Sequence, residues 1–414
     1  MEYIETAYKA LSDIYMKGAY LDAAMAKIEI SPVATKIIYG VLEKDTQLNF
    51  VISSLVKEPP KTSVLVSLKI GAYCLLYMDS IPDYAIVNGV VEFVKKQGKT
   101  GVSGFVNAVL KKVARREFKI PTGELEKLAY DTSKPVWFVK KVIKQFGKDA
   151  AKEILNEQPF ELEHIRNNSR LCTLIQIEKT LSAEAVEYTK SMAGGLNVRN
   201  CKAVKNMFSD GAITYQSPSS MTVVQALKPY GNVLDLCAAP GGKTVYAAEM
   251  NKGGFVTACD VSDAKVKQIK SYLKRMMITN VETKVNDATK FNDEFVGKFD
   301  CVLVDAPCSC YGTMRKHPDV FLRHDENTIK QMAATQKKIL LNAEKYLKKG
   351  GTLVYSTCTI FDEENACNVK YILENSALKL DKMDLPFDGA ENGTITILPK
   401  EEWDGFFIAR FVKK

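Results

Sequence analysis

The 414-residue sequence lacks the marks of a membrane or secreted protein. No apolar run reaches the ~18 residues that suggest a membrane span. The N-terminus, Met1–Glu5, lacks the basic flank and apolar stretch of a secretory signal. We therefore expect a soluble cytoplasmic protein, not bound to a membrane, whose ten cysteines remain reduced.

Patterns typical of metal and dinucleotide sites are missing as well. The chain has three histidines and no C-x-x-C pair, and its closest cysteines are Cys308 and Cys310. We therefore expect no metal site. No G-x-G-x-x-G fingerprint is present, which argues against a dinucleotide-binding enzyme.

Charge is only modestly in excess, with a formal net charge of +8, but it is unevenly distributed. Two clusters are rich in basic residues: Lys111, Lys112, Arg115, Arg116 and Lys119, and then Lys140, Lys141, Lys144 and Lys148. Such clusters can meet the phosphates of RNA, although a solvated helix face has the same composition.

Residues 1–123 have a helical pattern and predict an all-α N-terminal domain. Apolar residues recur at helical spacing over Ile86–Val94 and again over Phe105–Val113. The first basic cluster occupies the other side of the second of these helices. The pattern indicates a helical bundle with one basic flank.

Residues 124–220 have a mixed pattern and predict a small α/β middle domain that links the other two. We expect this region to contact RNA, although spacing alone places no chemistry in it. A helix is expected near Val136–Ile154, a strand over Arg170–Glu178 and a helix over Ser182–Met192.

Residues 221–414 alternate short β-rich runs with helical stretches, which predicts a Rossmann-like α/β domain with a mostly parallel sheet. The clearest strands are Val233–Leu236, Phe255–Cys259, Cys301–Asp305 and Thr352–Ser356. Because ligands of such sheets bind beyond the C-terminal strand ends, the residues that follow each strand are site candidates.

A glycine-containing turn follows the first of these strands, where Asp235–Thr244 reads DLCAAPGGKT. Gly242–Thr244 matches the end of a nucleotide triphosphate loop, so a P-loop NTPase is an alternative function. That loop needs glycine at Cys237, and Pro240 removes a backbone N–H donor that a phosphate cradle uses. The turn therefore favours a ligand other than a triphosphate.

Two aspartates lie where the next two strands end. Asp260 can accept the hydroxyls of a ribose and Asp287 the amino group of an adenine, although either can also be a helix cap. With the glycine turn, they indicate a pocket for an adenosine compound without a diphosphate. S-adenosylmethionine fits that description.

Two cysteines follow later strand ends in the same predicted sheet. Cys308 lies in Asp305–Gly312, and Cys358 lies in Tyr355–Thr359. This position separates them from cysteines inside apolar runs, which are more often small buried residues. A cysteine in such a place can act as a nucleophile, but spacing leaves open which of the two attacks.

These motifs together resemble those of the NOL1/NOP2/Sun family of RNA 5-methylcytosine methyltransferases. The resemblance rests on Leu234–Thr244, Asp305–Ser309, Arg315–Asp319, Ser356–Cys358 and Asp404–Phe407. Ile81–Lys96 and Phe105–Leu110 look like the NusB-like domain that marks the bacterial small-subunit ribosomal RNA methyltransferase B group. Weaker similarity in the middle region extends the resemblance to nearly the whole chain.

The resemblance implies a role for each matching residue. Cys358 would be the nucleophile, Cys308 would assist product release, and Asp305 would lie beside cofactor and target base. Asp260 would hold the ribose of S-adenosylmethionine and Asp287 its adenine. The methionine part would be bound by Cys237, Ala238, Ala239, Pro240, Gly241, Gly242 and Lys243.

The chain departs from the family pattern in two places. It has Ser217 after Gln216 where members commonly have Gln-Asp, and Cys310-Tyr311 where members more often have small residues. The implied substrate is small-subunit ribosomal RNA, either free or in a subunit that is not yet fully assembled. Transfer RNA and a non-enzymatic RNA-binding module remain as alternatives.

Overall fold

The computed structural model describes residues 2–29 and 31–414. The chain forms two compact units, the first comprising residues through Glu157 together with Met314–Glu326, and the second comprising Gln158–Thr313 with Asn327–Lys414. Among the described residues, no helix is both long and apolar enough to cross a membrane.

The first unit is built from helices. These are α1 (Glu2–Lys17), α2 (Leu21–Met25), α3 (Pro32–Glu43), α4 (Asp45–Leu55), α5 (Thr62–Tyr77), α6 (Asp83–Lys96), α7 (Thr100–Ala114), α8 (Glu124–Thr132) and α9 (Val136–Asn156). Their apolar faces meet in one core, and α5 is buried along most of its length. The predicted helical bundle is confirmed.

Helices α6 and α7 follow the apolar spacing of the sequence. Helix α7 buries Val106, Val109 and Leu110, and the basic cluster Lys111–Lys119 has all five of its cations exposed. Phe105 was expected on the buried stripe but is 40% exposed. It lies one position outside the face that contacts the core.

The second unit begins with a four-stranded antiparallel sheet in the order β2-β3-β1-β4. Its elements are β1 (Glu163–Asn167), α10 (Leu174–Ala183), β2 (Tyr188–Lys190), β3 (Leu196–Val198), α11 (Lys202–Ser209) and β4 (Ile213–Tyr215). The strand expected over Arg170–Glu178 is wrong, as is the helix expected over Ser182–Met192. Thr173 and Gln176 form a capping box that starts α10 instead.

The larger sheet of this unit has β10-β12-β9-β8-β5-β6-β7 as its order, with β11 paired to β12. Its strands are β5 (Asn232–Asp235), β6 (Phe255–Asp260), β7 (Val281–Val285), β8 (Phe299–Asp305), β9 (Leu347–Thr357), β10 (Leu378–Leu380), β11 (Thr394–Ile397) and β12 (Phe406–Lys413). The remaining helices are α12 (Pro218–Leu227), α13 (Gly242–Met250), α14 (Asp263–Arg275), α15 (Val320–Arg323), α16 (Glu326–Tyr346) and α17 (Ala366–Asn375).

Strands β5 to β9 are parallel, and β12 runs antiparallel to β9. Apolar clusters cover both faces of the sheet. The predicted Rossmann-like domain is confirmed, with all four expected strands in place. The strand order reverses beside β5, which pairs with β6 on one side and β8 on the other, and ligands of such sheets bind at this reversal.

Helix α15 lies in Met314–Glu326, the segment that belongs to the first unit. Leu322 packs against the helical core, and the ring of Phe321 lies 4.9 Å from that of Phe138. The buried Asp319 carboxylate accepts the backbone N–H of Leu21 at 3.2 Å. This segment is therefore an integral part of the helical unit.

Candidate active site

The turn after β5 is held against the neighbouring strands. Backbone N–H groups of Leu236 and Ala238 donate to carbonyls of Leu303 and Cys259, at 3.1 and 2.9 Å. Gly241 ends the turn at φ 118° and precedes the first residue of α13. A Cβ there would lie 3.4 Å from the Tyr272 ring in a backbone conformation that favours glycine. The turn thus brings backbone N–H and C=O groups to the edge of the sheet beside β5, the switch point at which the strand order reverses.

Asp235 lies buried beneath this turn. Its Oδ2 accepts the Thr244 hydroxyl at 2.7 Å, and burial raises the pKa of its carboxyl to about 7. Its Oδ1 is buried and has no hydrogen-bond partner among the described residues. Sequence reasoning included Asp235 in the turn motif but gave it no role of its own. An acidic residue within an apolar strand nevertheless indicates that its carboxyl has a polar partner or ligand.

Asp260 supports the same turn from the end of β6. Its Oδ2 accepts the N–H of Ala239 at 2.9 Å, and its Oδ1 accepts the N–H of Val261 at 2.8 Å. Lys265 lies 3.1 Å from Oδ1. The structure thus brings the predicted ribose acid to the glycine turn, where Oδ2, which accepts a single hydrogen bond, retains a lone pair for a ligand.

Asp287 follows β7 and is half exposed. Its Oδ1 accepts the N–H and the hydroxyl of Thr289, at 3.0 and 2.6 Å, and the hydroxyl bond is the main reason why its pKa lies below the usual value. The neighbouring Asn286 has a buried Nδ2 without a partner among the residues described. The Asn286 amide can donate a hydrogen bond to a ring nitrogen of adenine, and the Asp287 carboxylate beside it can accept one from the adenine amino group.

Asp305 ends β8 and connects the glycine turn to the cysteine loops. Lys243 Nζ donates to its Oδ2 at 2.7 Å, and the Ser356 hydroxyl donates to its Oδ1 at 2.7 Å. Lys243 also lies 5.2 Å above the Phe406 ring. Sequence reasoning placed Lys243 on the cofactor and gave Ser356 no role. The spacing of residues in the sequence predicts neither the Lys243–Asp305 contact nor the Ser356–Asp305 contact.

Cys308 and Cys358 come together although 50 positions separate them, with their sulfur atoms 3.1 Å apart. The pKa of Cys308 lies well above the usual value because its thiol contacts those of Cys310 and Cys358 and is buried. The hydrogen bond from Cys308 lowers the pKa of Cys358, but the Cys310 thiol and burial outweigh it and raise that pKa as well. Both cysteines are therefore thiols at neutral pH until a ligand changes their surroundings.

Three backbone segments cross beside these cysteines. The N–H of Gly312 donates to the carbonyl of Cys358, and the N–H of Gly405 donates to the carbonyl of Gly312, both at 2.9 Å. A Cβ at Gly312 would lie 2.0 Å from the Gly405 oxygen. Glycine is required here by close backbone approach, which fixes the two cysteine loops relative to each other.

A buried polar network holds the loop of Cys308 from the other side. The Glu364 carboxyl accepts the N–H of Ser309 at 3.0 Å and the side-chain amide of Gln336 at 2.8 Å. Burial raises the pKa of Glu364 to about 7. Because every polar atom of this network is costly to leave unpaired, Glu364 restricts the position of the loop.

The assembled site combines a thiol pair, a carboxylate with a lysine partner and a backbone turn at the switch point of one sheet. It can add a nucleophile to an electron-poor ring, supply a proton and hold a cofactor nearby. The structure brings together Asp305, Cys308 and Cys358 with the glycine turn, and Asp260 lies against that turn.

Comparison with known proteins follows the same division of the chain. A family model described as 16S rRNA methyltransferase RsmB/F matches residues 222–412, and a model of the NusB family matches residues 3–115. A Bacillus subtilis (strain 168) protein named probable ribosomal RNA small subunit methyltransferase B is 33% identical, with 99% of this chain and 98% of that protein covered.

Solved structures agree with the sequence relatives. The structure of the protein designated PH0851 is 28% identical with a TM-score of 0.85, and the match covers 100% of this chain and 98% of that chain. A methyltransferase homolog protein from Pyrococcus horikoshii is 25% identical with a TM-score of 0.61, and the match covers 71% of this chain and 100% of that one.

Proposed function

Because the chain belongs to the ribosomal RNA small subunit methyltransferase B family, we propose that it methylates carbon 5 of a cytosine in 16S ribosomal RNA through a Cys358 adduct. The enzyme is an S-adenosylmethionine-dependent methyltransferase, as the family implies. The pairing of Cys308 and Cys358 at 3.1 Å, on loops next to Asp305, is the observation that carries the proposal. The proposed location is the cytoplasm, where the substrate is made.

Carbon 5 of cytosine is too weak a nucleophile to take a methyl group unaided. Addition of the Cys358 thiolate to carbon 6 forms an S–C6 bond and moves electron density onto carbon 5. Asp305 meets N3 of the ring, and the proton that Cys358 gives up can pass through this carboxylate to N3 while Lys243 stays paired with it. Bound S-adenosylmethionine supplies the methyl group.

After methyl transfer, the RNA is released when the bond between Cys358 and carbon 6 is broken. A base removes the proton from carbon 5, the S–C6 bond breaks, and the ring regains its double bond. We assign this base role to Cys308, the sulfur nearest to Cys358. Because the neighbouring thiols and burial raise the pKa of Cys308, it must lose its own proton before it can act as this base. The reaction requires no metal ion.

We place the methionine part of the cofactor at Cys237–Lys243, with the N-terminus of α13 favouring its carboxylate. The ribose then lies at Asp260 and the adenine at Asp287. The unpaired Oδ1 of Asp235 and Nδ2 of Asn286 support a polar ligand here, because buried polar atoms in native proteins normally have partners.

We expect Asp260→Ala and Gly241→Val each to weaken S-adenosylmethionine binding. The first loses a charged acceptor worth ~1.5–3 kcal/mol, or about 10- to 150-fold in Kd, and the second forces a side chain against Tyr272. Calorimetric titration measures both. Asp263→Ala, an exposed aspartate nearby, is the control. Wild-type affinity in both variants would place the pocket elsewhere.

We assign RNA binding to residues 1–123 and to residues 124–220, and catalysis to residues 221–414. The structure divides the region 124–220, which was expected to form one middle domain, between the helical unit and the second unit at Glu157. The target base must leave any stack to reach Cys358. This requirement favours RNA that has not yet been locked into a finished subunit.

Replacing four exposed cations of α7 and its C-terminal end by glutamine should weaken RNA binding. The cations are Lys111, Lys112, Arg115 and Arg116. Each lost phosphate contact should reduce the slope of log K against log salt by up to about 0.9. Filter binding across a salt series measures this slope, with the dispersed exposed lysines Lys9, Lys17, Lys57 and Lys61 as the control set. An unchanged slope would make the cluster a solvated helix face.

Bisulfite sequencing of ribosomal RNA from cells without the gene tests the function directly. We expect one cytosine of 16S RNA to lose its methyl group and to regain it when the wild-type gene is restored. Loss of a methyl group from transfer RNA alone would assign the enzyme to that substrate instead.

A further inference from the structure

Three sulfur atoms meet in the active site, although the proposed reaction uses two. Cys310 Sγ lies 3.9 Å from Cys308 Sγ, which lies 3.1 Å from Cys358 Sγ. All three lie within 4.8 Å of one another. No other group of three His, Cys, Asp or Glu side chains could hold a metal ion in residues 2–29 and 31–414.

The spacing of these atoms is that of a thiolate metal site. A tetrahedral ion with Zn–S bonds of about 2.3 Å separates its sulfur ligands by about 3.8 Å. The observed separations of 3.1 and 3.9 Å lie on either side of that value. Small side-chain rotations would bring all three sulfurs to bonding distance of one ion.

The backbone holds the third sulfur in place. Cys310 adopts φ 60°, a left-handed conformation that is unfavourable for a residue with a Cβ. Its neighbours are fixed by the Glu364 bonds at Ser309 and by the Gly312 bond to Cys358. Such preorganisation favours ligand binding because little chain entropy is lost.

We propose that Cys308, Cys310 and Cys358 form a site for a thiophilic divalent d¹⁰ cation such as Zn²⁺, whose binding shuts off methyl transfer. Each sulfur gives up its proton and donates an electron pair to the metal, so one cation releases three protons and no electrons are transferred. A metal-bound Cys358 cannot attack carbon 6. The inhibition rests on the proposed role of Cys358, whereas metal binding does not.

The test uses the reduced full-length protein, with Cd²⁺ and Zn²⁺ as probes. Cd²⁺ should produce the ultraviolet charge-transfer band of a cadmium thiolate at one equivalent, with three protons released to an indicator dye. Zn²⁺ should inhibit methylation of a 16S RNA fragment, and a chelator should restore it. These binding readouts need no enzymatic activity, so they stand even if the proposed function fails.

In the absence of metal, the Cys310→Ser protein should still methylate RNA. Its metal site has two thiolates in place of three. We expect its metal affinity and its sensitivity to Zn²⁺ each to fall at least about tenfold, with one proton fewer released. Cys367→Ser, which removes an exposed cysteine, should behave as wild type. Cys310→Ala provides a second variant if the serine protein does not fold.

Two results would overturn the proposal. One is the absence of the cadmium band from wild type at one equivalent. The other is a Cys310→Ser protein that binds and is inhibited by metal as wild type is, which would assign the effect to other thiols.

Discussion

Cys358→Ala should abolish methyl transfer, by ~10³-fold or more, and should form no covalent complex with RNA. Without the thiolate, the S–C6 bond never forms and carbon 5 is never activated. Cys308→Ala should behave differently, because the adduct still forms and accepts the methyl group but is released slowly. Because the two sulfurs lie 3.1 Å apart, their positions do not show which one attacks and which one assists release. The two variants distinguish these roles.

A denaturing gel with labelled RNA and S-adenosylmethionine measures both outcomes. A shifted protein–RNA band should appear with Cys308→Ala and vanish in the double variant. The opposite pattern, with the trapped band in Cys358→Ala, would make Cys308 the nucleophile. The chemistry would then stand, and the roles taken from the family resemblance would be exchanged.

Gly312→Ala should also cause a large loss, through the backbone. A Cβ there would lie 2.0 Å from the Gly405 oxygen and 2.9 Å from the Cys358 oxygen, both on rigid main chain. The three crossing segments must move apart, so the hydrogen bonds that fix the cysteine loops are lost. We expect a fall in kcat of about 100-fold or more and a loss of stability of roughly 3 kcal/mol.

Gly104→Ala is the matched control, because a Cβ in that helix meets nothing within 4 Å. It should leave activity close to wild type and raise stability by about 0.5–1 kcal/mol, because alanine favours a helix interior over glycine. Methyl-transfer kinetics and denaturant unfolding provide the two measurements. If Gly312→Ala retained wild-type kcat, the backbone crossing would have no part in positioning the cysteines.

Much of the catalytic sheet could be predicted because its signals are local. The strands of the parallel sheet are short β-rich runs bounded by turns, and parallel strands bring their C-terminal ends to one edge. Cys308 and Cys358 were therefore expected on the same side of the domain. The helix α10 was missed because an apolar run can suit strand or helix, and the capping box at Thr173 was not weighed.

Other parts of the site depend on contacts that spacing does not encode. Lys243 reaches Asp305 across 62 positions, and Ser356 reaches it across 51. Cys310 was noted as a departure from the family, but only the fold places its sulfur beside Cys308. Sequence-based rules for metal sites search for ligands at short intervals, so a trio completed by Cys358 escapes them.

The inclusion of Met314–Glu326 in the helical unit bears on biosynthesis. Leu21 and its partner Asp319 are 298 positions apart, so this contact forms only after the segment that contains Asp319 has been translated. Helices that emerge early from the ribosome must wait for this late segment before their packing is complete. Contacts of such high sequence separation slow folding. Maturation of the N-terminal unit is thereby tied to synthesis of the polypeptide that carries Cys308.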